Sequence, residues 1–320
     1  MDAAEVALVR KTMESALETA ARGDVAAMLD GLGWAELHAA EPAVAVGELF
    51  EAQGRLGAVT NALDVVVASA LGIALSSGTA MVHPGLGAWD RPPGGVEFDG
   101  LVLAGAGRAA RLLVPVENPD GTLKAVELDA VGAEIRPVAG LDPAVGLVAV
   151  RGRTAGLAEP VCVPGWEPVA AAARRALAHE LCGLGQAMLD DAVAHVTQRH
   201  QFGRPIAAFQ TVRHRLTEVF VALASARAAL DASWEAGDPL LGDAAKTLAG
   251  RAALLAARHC LQVSGAIGFT EEYGLAGRIR RAMMLDALYG SADQLRSRIG
   301  ATLVEVSAVP RFHPLAGGAS

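Results

Sequence analysis

The stretch from Pro168 to Ser307 constrains this chain most, because its apolar residues recur at helical spacing and its strongest breakers gather at three places. The spacing predicts a first helix over roughly Ala170 to Arg199, ended by Phe202-Gly203-Arg204-Pro205. A second runs from about Phe209 to Ala236 and stops at Gly237-Asp238-Pro239. A third covers Asp243 to Ser264 and stops at Gly265, and a fourth covers about Leu275 to Val306. Four long helices with short connections pack as an antiparallel bundle.

The rest divides by local pattern. Residues 1–75 read as helices, one over Val6 to Arg22 and another after Glu41-Pro42, where proline suits a first turn. Residues 76–165 change character: short apolar runs such as Arg111 to Val116 and Leu147 to Val150 alternate with Gly and Pro, as in a small β domain. Asn118-Pro119-Asp120-Gly121 is a hairpin turn by composition. The apolar run Val65 to Val82 approaches membrane-span length, but it holds three serines and a threonine and follows Asp64. It reads as a buried helix running into a strand. The bundle fills 166–310, and 311–320 is a tail. The fold class is therefore mainly α with a small β domain.

Several classes of function are excluded. The net charge of −8, with no Lys/Arg block, gives no face for nucleic acid. Cys162, Cys182 and Cys260 are odd in number and far apart, so neither a disulfide framework nor a zinc site is indicated, and a reducing cytoplasm is the expected compartment. His179-Glu180-Leu181-Cys182-Gly183 lacks the second histidine of a zinc-protease motif. No membrane span is expected.

Two stretches of the bundle carry chemistry. Arg199-His200-Gln201-Phe202-Gly203-Arg204-Pro205-Ile206 precedes Phe209-Gln210. Further on stands Gln262-Val263-Ser264-Gly265-Ala266-Ile267-Gly268-Phe269. A guanidinium at a helix end suits a pyrophosphate, the first amides of a following helix favour anions, and Gly265 permits a left-handed turn with close backbone approach. Either stretch alone reads as helix punctuation. Together, with helices, β domain and bundle in this order, they resemble the acyl-CoA dehydrogenase family, closely over about residues 170–300. The resemblance implies a FAD shared across a subunit seam, to which this chain contributes Arg199, Gln201, Phe202, Phe209, Gln210, Gln262 and Gly265.

The same resemblance exposes what is missing. The family's base, a Glu that takes the α-proton of an acyl-CoA thioester, falls in Leu288-Tyr289-Gly290-Ser291, where Tyr289 stands in its place. The alternative position on the first bundle helix is Ala173. A phenol is a poor base near neutral pH and an alanine is none. Glu180 is an outside candidate, against the ordinary reading of a salt-bridged helix residue. In the β domain Met81-Val82-His83-Pro84-Gly85 replaces a Thr-Glu-Pro-like segment, Trp89 reads as a packing anchor, and the N-terminal helical region is short for the family.

The expectation is a subunit similar to the non-catalytic partner in actinobacterial heterotetrameric acyl-CoA dehydrogenases. It completes the FAD site while a second subunit bears the base and desaturates an acyl-CoA, such as a steroid-CoA, passing electrons to a separate acceptor. A self-sufficient homodimer with an unusual base, and a flavin-free assembly protein of the same fold, are the alternatives.

Overall fold

The computed structural model describes residues 1–19, 25–76, 78–103, 109–140, 142–154, 157–160, 165–270 and 272–306. Cys162 and the tail lie outside them. Five helices come first: α1 (Ala3–Thr19), α2 (Ala26–Gly31), α3 (Trp34–Ala40), α4 (Pro42–Leu56) and α5 (Ala62–Ala70). Pro42 opens α4, and Gly57 closes it with φ 64°. The run from Val65 to Val82 divides as expected. Its first part is α5, and its last residues form β1 (Thr79–Met81), with Val66, Val67, Leu71, Met81 and Val82 all buried.

The β region adds β2 (His83–Pro84), β3 (Glu97–Val102), β4 (Arg111–Glu117), β5 (Leu123–Asp129), β6 (Glu134–Pro137), β7 (Val148–Arg153) and β8 (Leu157–Pro160). Among the described residues they make two four-stranded sheets, ordered β1-β4-β5-β8 and β2-β3-β7-β6. Among the described strand pairs only β1–β4 is parallel. The β4–β5 hairpin turns at Asn118 to Gly121, where Gly121 takes φ 81° and the Asn118 N–H donates to the Thr122 carbonyl at 2.8 Å. Phe98, Leu112, Val114, Val126 and Val150 form a second core.

The bundle is α6 (Trp166–Gln198), α7 (Gln210–Ala236), α8 (Pro239–Ser264), α9 (Leu275–Ala287) and α10 (Ala292–Val306). The expected fourth helix is thus two. Leu288 to Ser291 interrupt it because Tyr289 and Gly290 both take positive φ, 55° and 97°. No residue can do that and continue a right-handed helix. The 33 residues of α6 extend for roughly 50 Å at 1.5 Å per residue and form the axis of the molecule. Helix α4 lies against α6 at backbone distance. A Cβ on Gly54 would stand 2.2 Å from the Glu180 carbonyl oxygen, and one on Gly183 would stand 2.2 Å from that of Glu51. Such a crossing requires glycine on both helices. The segment Pro239–Phe269 is long and apolar enough to cross a membrane by length and composition, but α8 packs here against α6, α7, α9 and α10.

Candidate functional site

Helix α6 ends at Gln198, and Arg199 caps it with its N–H bonded to the His195 carbonyl at 2.9 Å. Two short strands follow, β9 (His200–Gln201) and β10 (Arg204–Pro205), paired as an antiparallel hairpin. The two residues between them, Phe202 and Gly203, have φ 55° and 76°. Positive φ at both central positions is the turn that two-residue hairpins favour, but a bulky side chain at the first is rare and strained. The strain sets the Phe202 ring outward, 90% exposed. Its edge meets the Phe209 ring at 6.0 Å, and the Arg204 guanidinium lies 4.3 Å over the same ring.

Here the hairpin, the start of α7 and the end of α8 line a groove of about 400 Å³. It is lined by Gln201, Phe202, Ile206, Phe209, Thr211, Val212, Arg215, Gln262 and Val263. Four of the seven expected cofactor residues therefore converge: Gln201, Phe202, Phe209 and Gln262. The other three stand outside its lining. Gln210 is the first residue of α7 and exposed, with its amide 3.3 Å from His214 Nε2. Arg199 is an exposed helix cap, where its charge suits the helix dipole. Gly265 ends α8 with φ 64° and ψ −142°, not the left-handed turn expected; this region is even more restricted to glycine. Arg215 was not legible as a groove residue, since an arginine on an amphipathic helix reads as solvated.

A part of a dinucleotide fits this groove. Its volume lies in the lower part of the roughly 300–1,000 Å³ range of small-ligand sites. It offers two aromatic rings for a base, amides for hydroxyls and one cation. A larger cavity, about 1390 Å³ in the β region, mixes Arg91, Lys124, Arg151 and Arg153 with Glu97, Asp99 and Glu117 and favours no one ligand charge.

The position of the family's base is closed. Tyr289 is 2% exposed, and its hydroxyl lies 2.8 Å from His83 Nδ1. His83 Nε2 lies 2.7 Å from Asp64 Oδ1, and Asp64 Oδ2 accepts from the Met81 N–H at 3.1 Å. This buried chain joins α5, β2 and the α9–α10 break. Burial, aided by the Asp64 charge, pushes the Tyr289 hydroxyl well above the ordinary phenol range. It is no base at neutral pH. The Trp166 ring stacks on Tyr289 at 6.3 Å, and Trp89 fills the space beside Gly290 as a packing anchor. Three hydrogen bonds from two side chains fix the break. Arg174 Nε donates to the Tyr289 carbonyl at 3.0 Å, and Lys246 Nζ donates to those of Asp286 and Gly290 at 2.8 and 2.7 Å. Arg174 is itself balanced by Glu167 at 2.6 Å and Asp243 at 3.0 Å. Ala173, the alternative base position, is wholly buried in the α6 packing.

Glu180 is also enclosed. It accepts from Gln53 Nε2 at 2.8 Å and Arg281 Nε at 3.1 Å, and it lines none of the cavities described. Burial raises its pKa, opposed by the Arg281 charge. The carboxylate is a structural partner of Arg281, which also donates to the Ala58 carbonyl at 2.8 Å.

Comparison with known proteins bears on this geometry. Residues 169–304 match the family model described as acyl-CoA dehydrogenase, C-terminal domain. Acyl-CoA dehydrogenase IpdE2 of Mycobacterium tuberculosis is 33% identical over 163 residues, 51% of this chain and 48% of that protein. The chain matches less than half the length of such curated relatives. The ChsE4-ChsE5 complex from Mycobacterium tuberculosis shares the fold over 96% of this chain and 97% of the other, with TM-score 0.70 and 19% identity. A glutaryl-CoA dehydrogenase from Mycobacterium smegmatis, in complex with FADH2, does so over 97% of each chain, with TM-score 0.76 and 14% identity. Residues 169–304 are thus an acyl-CoA dehydrogenase C-terminal domain, and the helical N-terminal region and small β region before them share the fold of these two solved structures.

Proposed function

We propose that this chain is the flavin-completing subunit of an acyl-CoA dehydrogenase complex whose second subunit carries the base. One asymmetry carries the reading: the groove at Phe202, Phe209 and Gln262 is open, while the base position is filled by Tyr289 and sealed by His83 and Asp64. When bound, FAD supplies the hydride acceptor for α,β-desaturation of an acyl-CoA thioester. The residues of this chain bind and orient. Phe202 and Phe209 offer faces to the adenine, Gln201 and Gln262 offer amides to ribose and phosphate oxygens, and Arg199 and Gly265 flank them. The substrate is an acyl-CoA, with steroid-CoA the class that the sequence resemblance favours. Its acyl chain and the electron acceptor meet the partner subunit.

Exposed apolar side chains support a second chain against the bundle. Phe202, Phe269, Phe220 and Val221 are 90%, 72%, 60% and 55% exposed. The likeness to a two-subunit complex supports the same reading. The enclosed Glu180 counts against a self-sufficient homodimer, and the open groove counts against a flavin-free protein.

Co-expression with a base-bearing acyl-CoA dehydrogenase homologue as partner tests the proposal. The purified complex is expected to carry FAD, absorb near 450 nm and oxidise acyl-CoA, while the chain alone retains little flavin. Stoichiometric FAD and turnover in the chain alone, abolished by Glu180→Gln, would overturn it.

A further inference from the structure

Arg215 is the one charged side chain among the residues lining the groove. It is not free to swing. Its Nη1 lies 3.0 Å from Nδ1 of His259, and Nε2 of His259 lies 3.1 Å from Glu218 Oε2. A guanidinium only donates, so Nδ1 accepts, the imidazole proton sits on Nε2, and Nε2–H donates to the Glu218 carboxylate. His259 is only 6% exposed, and burial, with the Arg215 charge, lowers its pKa, which keeps the ring neutral and this polarity intact. The chain Glu218–His259–Arg215 holds Nη1 of a guanidinium whose residue lines the groove. Thr211 and Arg215 share one stripe of α7, while His259 and Gln262 share one stripe of α8. Arg215 and Gln262 thus line one groove from two helices, with Phe209 beside the start of α7. Arg199, the arginine marked by sequence for a pyrophosphate, is outside that lining.

We propose that Arg215 is the diphosphate contact of this groove, with His259 and Glu218 as its positioning residues. The inference rests on the reading of the groove as a dinucleotide site and adds the group that meets the diphosphate. A fixed fork pairs with two phosphate oxygens at once, and its charge offsets part of theirs.

The test titrates the flavin-stripped complex with its partner subunit calorimetrically with FAD, ADP and adenosine, this chain being wild type, Arg215→Gln or Arg215→Lys. The glutamine variant is expected to weaken FAD and ADP by about tenfold or more and to leave adenosine unchanged. The lysine variant, which keeps the charge and loses the fork, falls between. Arg215 is half-buried on a helix surface, and equal melting temperatures verify folding. Unchanged ADP affinity in Arg215→Gln overturns the inference and leaves the dinucleotide reading standing. An equal loss for adenosine also overturns it, because Arg215 then packs on the base. If wild type binds none of the three, even with its partner present, both fall together.

Discussion

Two residues other than glycine hold positive φ among those described, Phe202 and Tyr289. One lines the groove, and the other stands where the family resemblance places a base. Strain of this kind costs on the order of 1–3 kcal/mol and persists only where neighbours enforce it. Around Tyr289 the enforcement is visible in Arg174, Lys246 and His83. Tyr289→Phe leaves the packing and removes one hydroxyl, so the buried His83 Nδ1 loses its partner. The expected loss is about 1–3 kcal/mol in urea denaturation. Lys246 gives a pH signature. Burial lowers its pKa from 10.5 to about 7, so between those values the unfolded chain binds more protons than the folded one. Stability from this group therefore rises with pH from about 7 towards 10.5 and is flat below 7. Denaturation midpoints of wild type should climb relative to Lys246→Met across that window; a constant difference would refute the assignment.

At the scale of the element, contact between α4 and α6 rests on two glycines. Ala at Gly54 or Gly183 places a methyl against a backbone carbonyl, which neither helix can move without parting from the other. Each substitution is expected to destabilise by about 1–3 kcal/mol, read as a lowered melting temperature. These elements differ in how plainly the sequence announces them. The stops at Gly203-Arg204-Pro205, Gly237-Asp238-Pro239 and Gly265 mark the ends of α6, α7 and α8, because proline and positive-φ glycine act locally. The break between α9 and α10 was not legible. Its one glycine lies within continuous helical periodicity, and it is held by Arg174 and Lys246 from 115 and 44 residues away. The two-turn helices α2 and α3 were missed because six or seven residues are too few to show a period. Four groove residues were readable from motif spacing, whereas Arg215 owes its place to the register between α7 and α8.

For the whole molecule, Glu180 and Arg281 tie three regions together. Gln53 comes from α4, Glu180 and Arg281 from the bundle, and Asp142, 3.7 Å from Arg281 Nη1, from the loop before β7. Arg281→Ala leaves a buried carboxylate without its cation. The expected cost is about 3–5 kcal/mol, and the unfolding transition should broaden as the regions uncouple. The seal at Tyr289 spans the same three regions. Its parts answer to one another: the phenol meets an imidazole held by an aspartate, while the backbone beneath it is bolted by an arginine and a lysine. Tyr289→Glu alone would therefore place a carboxylate there without opening a chamber for a thioester, and the variant should stay inert. Such a lock makes the site hard to convert: opening it would demand coordinated change at several distant codons, none of them useful singly.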